Sequence, residues 1–304
     1  MNVLIIGGNG FIGSHLVDKL LKNGHNVRVF DITYERYRKP LANVDYRIQS
    51  LDNIADLYEA LLGIDIVFHL ASSSVPSTSN IDTVSDINKN LIPTLNILNL
   101  SVKLGIKKFV YFSSGGAVYG NPLSLPINEM HPLNPISSYG IVKATIEMYL
   151  SLFQRLHGLK SLILRPSNPY GPRQGHFIAQ GVISTFLRKV RMDEKLTVYG
   201  DGNSTKDYIY INDLIRLTYD LSFSNNVGVF NLGSGEGKTI NQIIDQIKKT
   251  TDLTPEIDTL NKQIYDVDNF VLDISKTIDI LGPQSMTSLE EGISKTWEWL
   301  KSIV

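Results

Sequence analysis

The run Gly7-Gly8-Asn9-Gly10-Phe11-Ile12-Gly13 constrains the fold of this chain more than any other stretch. It follows apolar residues 3–6 and opens an amphipathic stretch over 12–23, so the expected order is strand, tight turn, helix. Gly7, Gly10 and Gly13 fall at a G-x-x-G-x-x-G spacing, one residue different from the commoner G-x-G-x-x-G. Such glycines let a backbone turn sharply, approach a pyrophosphate at the helix N-terminus, and pack the helix close to its sheet. A glycine-rich loop taken alone is often only a turn. Asp31 shifts the balance, because it closes the next apolar run, Val27-Arg28-Val29-Phe30. A carboxylate there accepts both ribose hydroxyls and repels a 2′-phosphate, which favours NAD over NADP. Gly7, Gly10, Phe11, Ile12, Gly13 and Asp31 are the candidate cofactor contacts of this region.

Further along, residues 3–6, 26–30, 65–70, 108–113 and 161–165 read as buried strands. Helical patterns at 12–23, 54–62, 83–104 and 139–157 lie between them. Strict alternation predicts right-handed βαβ units. The apolar runs are continuous rather than alternating, as in strands covered on both faces. The expectation is an α/β fold with a Rossmann-type doubly wound parallel sheet over residues 1–165. Pro93 interrupts the 83–104 helix and predicts a kink or a fresh start near it. After Arg165 the composition shifts, beginning with the loop 166–173 and its prolines. Helices at 181–189, 212–222, 240–250 and 289–302, with short strands at 196–199 and 229–232, predict a smaller mixed α/β substrate lobe over 166–304. A segment near 208–232 is expected to return to the first domain.

Tyr139 stands four residues before Lys143 on a predicted helix, so an ammonium can lie beside a phenol. A free tyrosine has a pKa near ~10, and each unit of depression needs about 1.4 kcal/mol of preference for the phenolate. A neighbouring lysine and an oxidised nicotinamide could supply that preference and give a base usable near neutral pH. With 14 tyrosines present, one such pair arises by chance, and it is the upstream fingerprint that points it to hydride chemistry. The absence of cysteine excludes disulfides and thiolate catalysis, and the six histidines show no metal-like clustering. A net charge of −1 provides no basic excess for nucleic acid or an anionic membrane surface. No apolar stretch reaches spanning length, so the expectation is a cytoplasmic protein with no membrane or nucleic-acid partner.

With these residues placed, the chain resembles the extended short-chain dehydrogenase/reductase family, in its nucleotide-sugar epimerase and dehydratase branch. The likeness runs along nearly the whole chain, through Gly7–Gly13, Asp31, His69-Leu70-Ala71-Ser72, Asn90–Thr94, Ser113–Gly120, Tyr139–Lys143, Leu164–Gln174, Gly200–Asp213 and Phe230–Glu236. It implies an NAD-dependent 4-epimerase of a nucleotide sugar, UDP-glucose and UDP-galactose first. Tyr139 would take the C4 hydroxyl proton, and Lys143 would bind the nicotinamide ribose and lower the tyrosine's pKa. Further cofactor contacts implied by position are Leu51, Leu70, Ala71, Ser72, Asn90, Ser113 and Pro166. On the substrate side, Asn168 falls at the diphosphate and Tyr199 at the uracil. Lys206 stands where an arginine clamps phosphate, and Lys262 could replace a second arginine. Phe270 falls beside the sugar's C2 substituent, as a gate against N-acetyl groups or as core packing. The helices 87–104 and 139–157 resemble the pair through which the family forms homodimers by a four-helix bundle.

Several positions depart from the family pattern. The serine or threonine that hydrogen-bonds the reacting C4 oxygen is replaced by Gly115, with Ser114 beside it. Two flexible glycines could let Ser114 reach that oxygen; alternatively Tyr139 works alone. Gly115, Gly116 and Ala117 hold none of the acids that dehydratases and decarboxylases keep near this point, and elimination needs a proton donor. Ser50-Leu51 replaces the usual Asp and apolar pair at the adenine, with Asp52 following. The alternatives are a UDP-N-acetylhexosamine 4-epimerase, a 4-keto-sugar reductase and, in another class, a non-catalytic nucleotide sensor that would need no Tyr–Lys pair.

Overall fold

Runs of β-branched and aromatic residues without polar interruption can be satisfied only between two covering layers. A computed structural model of the chain describes residues 1–174, 181–261, 267 and 269–303. Lys262 lies outside the described residues. Six strands, β1 (Asn2–Ile6), β2 (Asn26–Asp31), β3 (Val44–Ile48), β4 (Ile66–His69), β5 (Lys108–Phe112) and β6 (Ser161–Pro166), pair in parallel. A seventh, β7 (Gly228–Leu232), joins the edge beside β6. The spatial order β7-β6-β5-β4-β1-β2-β3 reverses between β1 and β4, which opens a crevice at the C-terminal ends of those strands. Val3, Leu4, Ile5 and Ile6 are fully buried, so the apolar opening is a core strand. Each such side chain contributes about 1.5–3 kcal/mol by burial.

The covering helices include α1 (Phe11–Lys22), α2 (Ile54–Leu61), α3 (Ile92–Lys103) and α4 (Ser138–His157). The stretch expected as one helix over 83–104 is three pieces: an α-turn at Thr83–Asp86, a π-turn at Ile87–Leu91, and α3 with Pro93 in its first turn. Proline has no N–H to donate to the preceding turn, and a widened turn followed by a new helical start absorbs the loss.

By its internal contacts the chain divides into two units. The first comprises Met1–Gly120, Pro132–Arg165 and Ile215–Phe230, and holds the large sheet. The second comprises Asn121–His131, Pro166–Leu214 and Asn231–Val304. It contains a three-stranded sheet of Asn168–Tyr170, Thr205–Tyr210 and Gly237–Thr239, and a two-stranded ladder of Leu196–Tyr199 with Ile257–Leu260. Asp207, with no exposed surface, organises this unit by accepting from the backbone N–H groups of Ser234 (2.8 Å), Gly235 (3.3 Å) and Leu272 (3.2 Å). Among the described residues no helix is long and apolar enough to cross a membrane.

Candidate active site

At the β1–α1 turn the glycines are required by space as much as by conformation. Gly7 has φ +87°, and a Cβ there would stand 2.7 Å from the Ala71 nitrogen. A Cβ on Gly13 would stand 2.2 Å from the Gly7 oxygen. The turn therefore lies directly against the end of β4, where the Leu70 and Ala71 N–H groups both donate to the Ile6 oxygen (2.9 and 3.0 Å). Gly10 caps α1 without any side-chain hydrogen bond, and no acid occupies the first helical turn. The positive end of that helix is left for an outside anion, which is what a dinucleotide pyrophosphate needs. Phe11 packs edge-on against His15, and Ile12 is half-buried beside it. Asp31, at the end of β2, accepts the Asn9 N–H (3.0 Å) and the Thr33 N–H (3.1 Å), which fixes the carboxylate beside the glycine turn. Leu51 packs on the core of this unit, and Ser50 donates to Asp52 (3.0 Å) on the surface.

The second half of the crevice is built from α4, the ends of β4 and β5, and the π-turn. Ser137 caps α4 by accepting the Gly140 N–H (3.2 Å). A Cβ on Gly140 would stand 2.5 Å from the Ala117 oxygen, so glycine lets the helix start lie on the short helical turn Gly115–Val118. That approach brings Ser114 into a hydrogen bond with the Tyr139 hydroxyl. Neither Gly115 nor Gly116 takes a left-handed conformation. Gly140 thus permits the close packing beside which this contact forms.

Lys143 is buried and donates to the Phe112 carbonyl (2.8 Å), with its ammonium 4.8 Å from the Tyr111 ring centre and 5.6 Å from that of Tyr139. Burial lowers its pKa to about 8, against the opposing carboxylates of Glu147 and Asp86. Burial pushes Tyr139 up to about 12, opposed by the Ser114 hydrogen bond and assisted by the Asp86 charge. Without a cofactor the pair is therefore a neutral phenol beside a lysine close to losing its proton. Further positive charge is needed to favour the phenolate.

Two acids that sequence reasoning did not single out complete this region. Glu147, one turn beyond Lys143 on the same helical face, accepts from Arg165 (3.1 Å to Nε, 2.5 Å to Nη2) and from the Ser113 hydroxyl. Ser113, an expected cofactor contact, places its hydroxyl in this buried network. Asp86, 3% exposed, accepts from Ser74 (2.6 Å), Asn90 (2.7 Å) and Ser138 (2.7 Å). Asn90 also accepts the Ser73 N–H (2.8 Å), which ties the segment after Ser72 to the π-turn. Ala71, Ser72, Asn90, Tyr139 and Lys143 line one pocket with Asp86, and Pro166 ends the neighbouring β6. His69, under the pocket, is bonded to Thr94 (2.8 Å); burial holds its pKa at about 3, so it is a neutral structural residue.

The remaining expected residues lie in the second unit. Asn168 donates to the Asp207 carbonyl (2.8 Å), and Lys206 donates to the Val267 carbonyl. Phe270 bridges to Lys206 by backbone, which puts these three on one patch of sheet. Phe270 is 1% exposed and packs inside the unit. Tyr199, 47% exposed, lies on the separate ladder opposite Leu260. Among the described residues no group of histidine and acidic side chains could hold a metal ion.

Residues 3–252 match the model of the NAD dependent epimerase/dehydratase family. The chain is 30% identical over 310 residues to a UDP-glucose 4-epimerase of Mycolicibacterium smegmatis, covering 99% of each. Among solved structures it resembles the UDP-glucose 4-epimerase of Thermotoga maritima with UDP-glucose (TM-score 0.94, 36% identity, 99% of both chains). It also resembles the Thermus thermophilus UDP-glucose 4-epimerase in complex with NAD (TM-score 0.94, 31% identity, 100% of both chains).

Proposed function

Because the chain belongs to the NAD dependent epimerase/dehydratase family, we propose that it is a nucleotide-sugar 4-epimerase acting with NAD on UDP-glucose and UDP-galactose. The observation that carries this reading is the Ser114–Tyr139–Lys143 group at the crevice beside an uncapped helix N-terminus. The glycine turn, the free start of α1 and Asp31 fit the pyrophosphate and adenosine ribose of NAD. When bound, the nicotinamide would take a hydride from the sugar's C4 and return it to the other face.

The chain's own residues handle the proton. Tyr139 is the base for the C4 hydroxyl, and Ser114 lowers the cost of its phenolate by donating a hydrogen bond. Lys143 adds positive charge to the same pocket, next to Phe112 and Tyr111. No carboxylate stands on the Gly115–Val118 turn to protonate a departing hydroxyl, so interconversion is favoured over elimination. We assign the grip on the nucleoside diphosphate to Asn168, Lys206 and Tyr199. Such binding, remote from C4, is the kind that retains a 4-keto intermediate while it turns over. Phe270, 1% exposed inside its unit, is read as core packing, the second of its two expected roles.

The same reading makes the protein a cytoplasmic homodimer. Ile87, Ile92, Ile141, Met148, Leu152 and Leu156 are 41–63% exposed on the π-turn, α3 and α4, an apolar surface that a four-helix bundle between two copies would cover. Incubation with UDP-galactose and no added cofactor is the test. Formation of UDP-glucose, with NAD released on denaturation, is the expected result. No conversion of UDP-galactose, together with reduction of a 4-keto nucleotide sugar when reduced cofactor is added, would assign a keto-sugar reductase instead.

A further inference from the structure

Asp86 is the buried charge that the mechanism above leaves without a task. Its carboxylate is held by three neutral donors from three segments: Ser74 after β4, Asn90 on the π-turn, and Ser138 at the start of α4. Burying a carboxylate costs several kcal/mol unless it is compensated, and hydroxyl and amide donors compensate only in part. The groups facing this pocket can be compared one by one. Lys143 is the cation from α4, and Tyr139 is a phenol. His69 from β4 is neutral, and Tyr111 from β5 is a buried phenol. Glu147 lies behind Lys143 but is already spent on the Arg165 guanidinium. Asp86 therefore supplies the negative charge that lines the pocket itself. It acts on both working residues, raising the pKa of Lys143 and of Tyr139.

Against Tyr139 alone this placement is unfavourable, because a carboxylate nearby opposes a phenolate. It makes sense if the pocket must also accept a second cation beside the Lys143 ammonium. An oxidised nicotinamide carries that positive charge and a reduced one does not. We propose that Asp86 is a positioning and selectivity residue, whose fixed carboxylate makes this pocket prefer the oxidised, cationic nicotinamide over the reduced, neutral one. The inference rests on the pocket being the nicotinamide site of the proposed epimerase. It also gives the π-turn a purpose: Asn90 holds the Asp86 carboxylate through Nδ2 while its Oδ1 holds Ser73.

The test is a pair of dissociation constants, for NAD+ and for NADH, on cofactor-stripped full-length protein. Asp86→Asn and Asp86→Ala both remove the charge, and Asp86→Glu keeps it. In the neutral variants NAD+ should weaken about tenfold relative to NADH, equivalent to about 1.4 kcal/mol. Asp86→Glu should keep the parental ratio. Ser138→Ala, which loosens the carboxylate without discharging it, should weaken both forms together. An unchanged ratio in either folded neutral variant overturns the proposal. Failure of both neutral variants to fold while Asp86→Glu folds also overturns it, by assigning Asp86 to the architecture of the turn. A parent that binds neither form defeats the epimerase reading instead.

Discussion

Replacing Glu147 by glutamine tests whether the face behind the active lysine is held by charge. The carboxylate and Arg165 are 4% and 5% exposed at their side chains, and three donor contacts from Arg165 join them. Arg165 also donates to Tyr119 (2.8 Å) and is itself buried, so a neutral partner leaves its charge less well compensated. Removing one member of such a buried pair costs about 3–5 kcal/mol. Glutamine keeps the volume and one acceptor, so the lower end, about 3 kcal/mol, is expected. The contrast is Glu291→Gln, whose partner Lys295 lies across an exposed pair (50% and 54%). That change should cost no more than ~0.5 kcal/mol. Urea unfolding followed by circular dichroism, with the slope checked for constancy, measures both. The glutamine at 147 should also shift the alkaline limb of turnover to lower pH. Glu147 holds the Lys143 pKa up, and without it Lys143 loses its proton sooner. A loss below about 1 kcal/mol with an unmoved limb would refute the argument, because the buried guanidinium would then be solvated by other means.

Ser114→Ala removes the hydrogen bond that lowers the Tyr139 pKa, so the acid limb of the rate profile should move to higher pH, with a turnover loss of about tenfold. Wild-type turnover and an unshifted limb would leave Tyr139 working alone. Gly13→Ala places a methyl 2.2 Å from the Gly7 oxygen, so the β1–α1 turn must open. The purified variant should retain much less NAD, measured by absorbance after denaturation. Full retention would show that the turn has slack.

Much of the sheet was legible because its strands are continuous apolar runs, of which Val3–Ile6 is the clearest. Strand β3 was not, since Val-Asp-Tyr-Arg-Ile is half-exposed along an edge and carries two charges. The strand Thr205–Tyr210 hid behind the polar Thr-Lys-Asp that opens it. The break in 83–104 was signalled by Pro93, but the π-turn before it has no sequence mark of its own. Of the site, the Tyr139–Lys143 spacing reads directly along one helical face, and Glu147 continues it by one more turn. Asp86 could not be found this way, because Ser74 and Ser138 stand 12 and 52 residues from it and only folding brings them together. The Ser114–Tyr139 contact likewise lies beside the close packing at Gly140, outside the block in which Ser114 occurs.

The most direct measurement compares Tyr139→Phe with the parent protein in converting UDP-galactose to UDP-glucose, both carrying bound NAD and both shown to be folded. Loss of the proton-accepting oxygen predicts a fall in turnover of about 10²–10⁴-fold with NAD still retained. A phenylalanine at 139 that inverts the sugar at the parental rate would contradict the account at its base.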